Sequence, residues 1–348
     1  MMANKFATAL YRWLRITIAW MIAVIFCANV GMLEARTTMV ASDDFNRVNG
    51  PIGTNWARPI TSEAFFIVTN NTVGVDTMNE HCEACWASNG FSDAQYAQAL
   101  LTSIGPFTGV ILQADTNHDE FYMGYVFGPT DYRIYHRVAE NYWEETVGST
   151  ETWQTNDVLK LEVSDPPEPL ITMYRNGKPV LLWLITDHRD VKTGGSPGIC
   201  IYSPAGDHLT VDNWEGGNLV PDANAPTVPT NLVATTVSPS QINLNWTPST
   251  DDVGVVGYLV ERSQGAGSTN FFLLYTPTGT NYSDANTWTR YTFYTTNSAS
   301  LSSGGTYNYR LRATDAAGNF SGYSEVVTAT TPSDLRHKRI VVNAGTAR

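Results

Sequence analysis

The sequence predicts an all-β protein made of two sandwich domains. Charged residues form only 16% of the chain, while glycine, proline and short apolar runs are frequent, as in short strands joined by turns. Apolar and polar residues alternate with a period of two, for example over residues 131–138 and 158–163, and no long stretch has a helical period. A chain of 348 residues has room for two or three domains that each bury a core.

Residues 1–35 predict an export signal. Lys5, Arg12 and Arg15 precede an apolar run over residues 16–33, and this order is typical of a secretory signal peptide. The run is also near the lower limit for spanning a bilayer, so an uncleaved anchor is the alternative. In both cases we expect the rest of the chain to be exported, as a secreted or extracellular surface protein.

Residues 42–219 predict a sandwich of two antiparallel sheets. Apolar and aromatic runs alternate with turn residues throughout this range, and a domain of this size with a dozen or more strands forms two packed sheets or a jelly roll. The clearest local signal is Asn176 followed by Gly177, because this pair tolerates the positive φ of a type I′ hairpin turn.

Residues 220–225 predict a linker. Pro221, Pro226 and Pro229 lie in or beside this stretch, and prolines deny hydrogen-bond donors to a sheet and stiffen the chain. At the other end of the second domain, residues 333–348 are basic and are expected to be disordered.

The second domain, residues 226–332, resembles the fibronectin type III family. The resemblance rests on Trp246 in an early alternating strand, on Tyr258, and on Leu301 with Tyr307, which is similar to the tyrosine corner of that family. The loop 313–319, Ala-Thr-Asp-Ala-Ala-Gly-Asn, also matches. The resemblance implies a seven-stranded, immunoglobulin-like sandwich.

The first domain resembles the concanavalin A-like, laminin G-like jelly rolls of secreted bacterial proteins. Five stretches carry the resemblance: residues 43–47, 50–56, 95–98, 198–199 and 211–217. It implies that the first and last strands pair, so that Phe45 and Trp214 close the core. The opening stretch is then a structural clasp, because unpaired edges invite aggregation.

The cysteines are Cys27, Cys82, Cys85 and Cys200, too few for a disulfide scaffold. Cys82 and Cys85 form a C-x-x-C, and in an exported chain we expect a loop disulfide between them. A zinc site would need a second pair at suitable spacing, and a thioredoxin-like motif would need a βαβ setting. Cys200 lies in an apolar strand and is expected to pack as a small hydrophobe.

Calcium is the one cofactor that the sequence suggests. Asp115, Asn117 and Asp119 space three oxygen ligands two residues apart, and calcium favours such clusters. The stretch also joins two strong strands, where Asp and Asn are ordinary turn residues. Both interpretations stay open.

Six aromatic and basic residues predict a ligand-binding surface: Tyr122, Arg133, Tyr135, Arg137, Trp143 and Trp153. Arg133, Tyr135 and Arg137 alternate along one strand and share one face. Aromatic rings stack on sugars while polar groups fix the hydroxyls, a mixture typical of ligand sites. The alternative is that one face is core and the other is merely solvated.

Catalysis has less support. Retaining glycosidases place two carboxyl groups about 5–5.5 Å apart, and related laminarinase-type enzymes carry them as Glu-x-Asp-x-x-Glu on one strand, a pattern absent here. Glu144 and Glu145 are adjacent and would face opposite sides of a strand, as would Asp119 and Glu120. Acids brought together from different strands remain an alternative.

The sequence as a whole predicts an exported, non-catalytic protein that binds a polysaccharide or cell-surface glycan, with the second domain as a spacer. A net charge of −12 disfavours nucleic acid as a partner. The alternatives are a glycan-cleaving hydrolase or lyase with non-standard carboxylates, and a purely structural or adhesive surface protein.

Overall fold

The computed structural model describes residues 37–57, 66–75, 80–87, 90–115, 120–138, 142–148, 150–165, 169–185, 194–203, 209–285 and 300–333. The expected export signal at 1–35 and all but the first residue of the basic tail at 333–348 lie outside these ranges. Every regular element within them is a β strand, which confirms the all-β class. Accordingly, the described ranges contain no helix long and apolar enough to cross a membrane.

Among the described residues, sixteen strands form the first sandwich: β1 (Thr37–Asp43), β2 (Gly50–Pro51), β3 (Trp56–Ala57), β4 (Phe66–Thr69), β5 (Thr72–Val75), β6 (Glu80–Trp86), β7 (Gln95–Leu101), β8 (Thr108–Ala114), β9 (Phe121–Gly128), β10 (Asp131–Val138), β11 (Tyr142–Gly148), β12 (Val158–Val163), β13 (Leu170–Arg175), β14 (Lys178–Leu184), β15 (Ser196–Ser203) and β16 (Thr210–Leu219). The second sandwich has β17 (Thr230–Ser238), β18 (Gln241–Thr247), β19 (Val255–Gln264), β20 (Phe272–Tyr275), β21 (Asn281–Ala285), β22 (Thr306–Asp315) and β23 (Val327–Thr330).

The first sandwich consists of two antiparallel sheets. The nine-stranded sheet has the order β14-β13-β12-β7-β16-β5-β4-β2, with β1 paired to β16, and the seven-stranded sheet has the order β11-β10-β9-β8-β15-β6-β3. Alternate residues of each strand meet in one core between the sheets, among them Leu112, Ile134 and Ile199 from the smaller sheet and Leu159 and Leu161 from the larger.

The first and last strands of this domain pair, as predicted. β1 runs antiparallel to β16, and Asp43 stands opposite Trp214. The chain turns after β1 at Phe45, whose φ is 48° and whose buried ring lies 6.1 Å from Trp56. The Trp56 ring is 4.7 Å from Trp214, and its Nε1 donates to Asp43 at 2.9 Å. The opening stretch therefore closes the core.

The second sandwich has a three-stranded sheet, β17-β18-β21, against a four-stranded sheet, β20-β19-β22-β23. Its core holds the predicted residues Trp246 and Tyr258, with ring centroids 5.2 Å apart. The Tyr307 hydroxyl accepts a hydrogen bond from the Ser302 backbone N–H at 2.7 Å. This is the expected tyrosine-corner arrangement, and it ties the start of β22 to the loop before it.

A buried ion pair joins the two sheets of the second domain. Arg262 of β19 and Asp284 of β21 are almost fully buried and lie 2.9 Å apart. The Tyr309 hydroxyl donates to the same carboxylate at 2.7 Å. Burial and the Asp284 charge raise the pKa of Tyr309, so it remains a neutral donor. The sequence alone did not indicate this network.

The two domains share a buried apolar interface. Leu170, Tyr174, Leu182 and Leu184 of β13 and β14 form one cluster with Val256, Leu259 and Ala316 of the second domain. Thr276 Oγ1 also donates to the Leu182 carbonyl at 3.0 Å. At Gly257 an added Cβ would lie 2.8 Å from a Leu182 methyl and 2.8 Å from the Pro277 carbonyl oxygen, so a larger residue would crowd this approach. The second domain therefore covers part of the larger sheet directly.

Candidate functional site

Three of the predicted basic and aromatic residues lie on the outer face of the seven-stranded sheet. On β10, Tyr132 and Ile134 point into the core, so Arg133, Tyr135 and Arg137 lie on the opposite face. We call this surface the concave face. Its described members include Glu83, Cys85, Ile111, Phe121, Met123, Tyr125, Arg133, Tyr135, Arg137 and Cys200.

A row of aromatic rings crosses the concave face. Phe107, with a φ of 56°, stacks on Tyr125 at 4.8 Å between ring centroids. Tyr135 meets Tyr125 edge-on at 6.3 Å, and Phe127 and Tyr202 contact Phe107 at 5.4 and 6.1 Å. Tyr135 and Phe107 are half-buried and Phe127 is exposed. Ring surface at this face is therefore accessible.

Arg133 is held in a fixed orientation beside these rings. Its Nε and Nη2 donate to the two carboxylate oxygens of Asp131 at 2.8 and 2.7 Å. The guanidinium carbon lies 5.0 Å from the Phe127 ring centroid. A bidentate pair of this kind fixes the plane of the guanidinium group, so Arg133 presents polar edges next to an exposed ring.

The contact of Arg137 with Glu83 shows that the face is concave. Arg137 lies on β10 and Glu83 on β6, four positions apart in the sheet, which is about 19 Å in a flat sheet at the usual strand spacing. The Arg137 Nη1 atom is nevertheless 3.8 Å from Glu83 Oε1. Two side chains can span that separation only if the sheet curves toward this face, so the pair bridges a groove.

Glu83 sits beside two thiols at one side of the groove. Burial raises the pKa of Glu83, and Arg137 opposes that shift. Burial and the nearby Glu83 charge raise the thiol pKa of both Cys85 and Cys200. Both thiols are therefore protonated near neutral pH and are not nucleophiles.

The predicted disulfide between Cys82 and Cys85 is not formed. Both residues lie within β6, where Cys82 faces the main core and Cys85 faces the concave side. Residues three apart on a strand point to opposite faces, so their sulfur atoms cannot meet. The loop expected around the C-x-x-C is a strand instead. Cys200 is buried in an apolar cluster, in agreement with its predicted packing role.

Two of the six predicted surface residues belong to the core, which corrects their assignment. Tyr122 is fully buried and its ring lies 4.5 Å from His136. Trp153 is 2% exposed and packs against Tyr132 at 5.9 Å. Strand alternation places Tyr122 on the inner side of β9, and Trp153 fills the core from the segment before β12. The backbone of Trp143 pairs with Arg137, but its side chain lies outside the described residues.

The predicted calcium ligands are described only in part. Asp115 follows β8, and its N–H donates to the Glu120 carbonyl at 3.3 Å. Asn117 and Asp119 lie outside the described residues, so calcium at this turn remains a prediction.

The structure also brings together three carboxylates that were not predicted from the sequence. Carboxylate oxygens of Asp222, Asp251 and Asp252 lie within 4.8 Å of one another, at the junction of the linker and the loop after β18. The pair of acids at 251–252 is a visible signal, but nothing in the sequence shows that Asp222 lies beside it. Exposed groups of acids are common without a metal ion.

A second polar network, also missed, lies on the outer face of the nine-stranded sheet. Lys160 Nζ lies 2.7 Å from Glu162 Oε1 and 4.7 Å from the ring centroid of Tyr96. The Tyr174 hydroxyl donates to Glu162, and the Tyr96 hydroxyl donates to Glu215. Since Tyr174 also belongs to the interface with the second domain, this network supports the domain contact.

Comparison with known proteins identifies the second domain. Residues 226–330 match the family model of the fibronectin type III domain. The chain therefore contains a fibronectin type III domain, in agreement with the sequence resemblance and with the seven strands described above.

Three curated bacterial relatives share part of the sequence. An alpha-amylase of Niallia circulans is 38% identical over 114 residues, which are 33% of this chain and 7% of the amylase. Exoglucanase B of Cellulomonas fimi is 38% identical over 35% of this chain and 9% of that enzyme. Chitinase A1 of Niallia circulans is 33% identical over 40% of this chain and 18% of that enzyme. The chain thus spans less than a fifth of each of these relatives.

Solved structures resemble the chain only weakly. The sixth fibronectin type III domain of human fibronectin type III domain containing protein 3 matches 32% of this chain and 92% of that domain, at 23% identity and a TM-score of 0.25. Carbohydrate binding module CBM66 from Bacillus subtilis matches 48% of this chain and 94% of the module, at 12% identity and a TM-score of 0.33. Similarity at this level supports no functional argument. The concanavalin A-like assignment of the first domain remains a prediction.

Proposed function

We propose that the protein is an exported, non-catalytic polysaccharide-binding protein whose ligand lies along the concave face of its first domain. The observation that carries this proposal is the row of rings through Phe107, Tyr125 and Tyr135, flanked by Arg133 and Arg137 on a curved sheet. In this proposal the first domain is a concanavalin A-like jelly roll, and the fibronectin type III domain packs against its nine-stranded sheet.

The chemistry of the face suits a sugar chain. Aromatic rings present flat apolar area to the C–H faces of pyranose rings, and guanidinium groups donate to hydroxyl or carboxylate oxygens. Phe127, exposed at the edge of the row, extends this surface toward solvent. A curved sheet admits a linear polymer along the groove, whereas a flat face would contact it at few points.

The sequence relatives support a polysaccharide setting. Regions similar to part of this chain occur in a bacterial alpha-amylase, an exoglucanase and a chitinase. These names denote enzymes of polymeric sugars, which is the ligand class proposed here.

Binding is tested on a panel of soluble and insoluble polysaccharides, by affinity electrophoresis and pull-down with the purified chain. We expect retention of the wild type by at least one polymer and weaker retention of Tyr135→Ala. Tyr323→Ala is the matched control, because this tyrosine is 40% exposed but lies on the second domain. Equal loss in both variants, or no retention of the wild type by any polymer, would contradict the proposal.

A glycan-cleaving hydrolase is the second candidate, and one observation favours it. Burial raises the pKa of Glu83, as is common for carboxyl groups that donate a proton to a leaving group. The charges of Glu83 and Asp115 both raise the thiol pKa of Cys85, so the two carboxyl groups lie close to this cysteine in the groove. Release of reducing ends from a retained polymer, abolished in Glu83→Gln, would establish this function in place of simple binding.

A further inference from the structure

We propose that the outer face of the four-stranded sheet in the second domain docks an acidic segment of a partner protein, and that Arg312 binds a carboxylate of that segment. We call this surface the arginine face, and its members are Glu261, Phe271, Arg310, Arg312, Phe320 and Tyr323. The face belongs to a different domain from the concave face, so the proposal goes beyond polysaccharide binding.

Strand alternation places two arginines on the arginine face. In β22, Tyr309, Leu311 and Ala313 belong to the core of the second domain. Arg310 and Arg312 alternate with them and therefore point to the opposite side of the sheet. Both arginines are half-buried, so their side chains lie along the face while solvent reaches part of them.

Arg312 differs from the other arginines that the structure describes, because it has no acidic partner. The guanidinium groups of the others lie 3.8 Å or less from a carboxylate oxygen: Arg47, Arg133, Arg137, Arg175, Arg262 and Arg310. Within the described ranges Arg312 forms no such ion pair, and its buried Nε atom has no hydrogen-bond acceptor. Since a buried donor without an acceptor is costly, an incoming carboxylate gives this guanidinium group an acceptor that the protein does not provide.

Aromatic rings hold the two guanidinium groups in place. The guanidinium carbon of Arg312 lies 4.1 Å from the ring centroid of Phe320 and 5.3 Å from that of Tyr323. Arg310 shares the Tyr323 ring at 3.7 Å and lies 4.3 Å from Phe271. Ring contacts cover the flat sides of a guanidinium group and leave its N–H edge for hydrogen bonds. Arg312 is therefore pre-organised for an acceptor in its own plane.

Glu261 does not neutralise Arg312, because both of its oxygens are already engaged. Its Oε2 accepts from the Arg310 Nε at 2.7 Å, and its Oε1 accepts from the Tyr323 hydroxyl at 2.8 Å. The described residues of the face thus hold two guanidinium groups and one carboxylate, a local positive charge on a chain whose net charge is −12. This charge is complementary to an acidic partner.

The arginine face lies between two covered parts of the sheet. On one side, Leu259 stands opposite Arg312 in register and is buried in the interface with the first domain. On the other side, Asn308 is 3% exposed, and its Nδ2 donates to the Gly265 carbonyl at 2.8 Å. Tyr323 is 40% exposed, so a partner can reach the ring that both arginines share.

A protein segment fits this surface better than a polysaccharide does. Tyrosine and arginine are among the residues that contribute most to protein–protein binding, and here an exposed Tyr323 lies beside Arg312. The ion pair of this face joins directly opposed residues of β19 and β22, unlike the pair that bridges the groove of the concave face. The described residues therefore give no sign of a groove that could follow a long sugar chain.

Binding is tested by NMR titration of the isotope-labelled whole chain with hexaglutamate and hexaglutamine, both acetylated and amidated at their ends. The two peptides match in length and differ in charge. The Arg312 Nε–H signal, identified by its loss in Arg312→Gln, should shift with hexaglutamate, which should bind about fivefold tighter than hexaglutamine. Binding should weaken from about 20 to about 500 mM salt, because exposed charges are screened.

Substitutions separate the guanidinium group from general electrostatics. Arg312→Gln should weaken hexaglutamate binding about fivefold, and Arg312→Lys, which keeps the charge but loses the fork of donors, should restore only part of the affinity. Lys178→Gln is the matched control, because it removes one positive charge from an exposed side chain of the first domain, and it should leave the affinity unchanged. Thermal melts verify that each variant is folded, and the shift in the wild type requires no substitution.

Hexagalacturonate, an acidic sugar chain of the same formal charge, is the third probe and should bind less tightly than hexaglutamate. No shift of the Arg312 signal with hexaglutamate, or equal affinities of the wild type and Arg312→Gln, overturns the proposal. Equal or tighter binding of hexagalacturonate also overturns it, because the face then serves an acidic polysaccharide. Retention of polysaccharides on the concave face is measured separately with Tyr135→Ala and stands or fails independently of these results.

Discussion

Tyr135 meets Tyr125 edge-on across β10 and β9, with ring centroids 6.3 Å apart. The contact puts one half-buried ring against one fully buried ring on the outer side of the sheet. Tyr125 is thus part of the floor of the groove, and Tyr135 is the ring that a ligand can reach.

Replacing Tyr135 by alanine should weaken polysaccharide binding with little loss of stability. Removing one stacking ring is expected to cost about 1 kcal/mol of binding, or roughly fivefold in affinity. The half-buried ring lies outside the main core, so the melting temperature should change by only a few degrees. Affinity electrophoresis and thermal melts measure the two effects. A collapse in melting temperature would show that this ring is core.

The domain interface should make the two domains unfold together. Leu182→Ala removes buried apolar contacts with the second domain, and such truncations cost about 2–5 kcal/mol. We expect one calorimetric transition in the wild type, shifted down or split in the variant. Leu301→Ala, within the core of the second domain alone, is the comparison. Two well-separated transitions in the wild type would mean that the interface contributes little.

Asp212 should destabilise the protein above pH 6. Burial raises its pKa to about 6, and the nearby Asp44 and Asp43 charges add to the shift. The folded state therefore holds a proton that the unfolded chain has released, so stability falls as pH rises from about 4 to 6 and stays lower above that. Asp212→Asn should raise stability at pH 7.5 by about 1 kcal/mol, allowing for partial exposure, and change it little at pH 4. Denaturation at both pH values measures this, and an equal gain at pH 4 would contradict it.

Removing one partner of the Arg262–Asp284 pair should lower the free energy of unfolding of the second domain. Asp284→Asn removes the carboxylate charge that lies 2.9 Å from the buried Arg262 guanidinium, and removing one partner of a buried pair typically costs about 3–5 kcal/mol. Tyr309→Phe, which removes one donor to the same carboxylate, should cost about 1–2 kcal/mol. Urea denaturation of the single and double variants gives the coupling energy. Additive effects would show that the three side chains do not act as a network.

The cysteines should behave as buried thiols. Cys85 and Cys200 are at most 3% exposed, so alkylation should modify them only after denaturation. Mass spectrometry of the alkylated peptides should show no bridge between Cys82 and Cys85. Recovery of that bridge from native protein would mean that β6 is not the strand described above.

Sequence reasoning predicted the regular parts of this molecule well. Alternation identified β10 and its face with Arg133 and Tyr135. The resemblance to concanavalin A-like jelly rolls implied that the first and last strands of the first domain pair, as they do where Asp43 stands opposite Trp214. The alternation is a local, repeated signal, so a single sequence displays it.

The omissions share one physical cause, namely contacts between residues that are distant in sequence. Nothing near Glu83 indicates that Arg137 will reach it, because curvature of the whole sheet brings them together. The interface of Leu182 with Gly257 is likewise invisible in either segment. Two errors have other causes. The C-x-x-C motif predicts a loop disulfide at Cys82 and Cys85, although the residues around it form strand β6. An aromatic residue such as Tyr122 can lie on either face of a strand, so its type does not show that it is buried.

The most direct test of the account is hydroxyl-radical footprinting of the whole chain, with and without the polysaccharide that the wild type retains most strongly. If the ligand lies along the concave face, oxidation of Tyr135 and the exposed Phe127 should fall several-fold, while Tyr323 on the second domain stays as reactive as before. Protection confined to Tyr323 and its surroundings, with Tyr135 and Phe127 unchanged, would contradict the account.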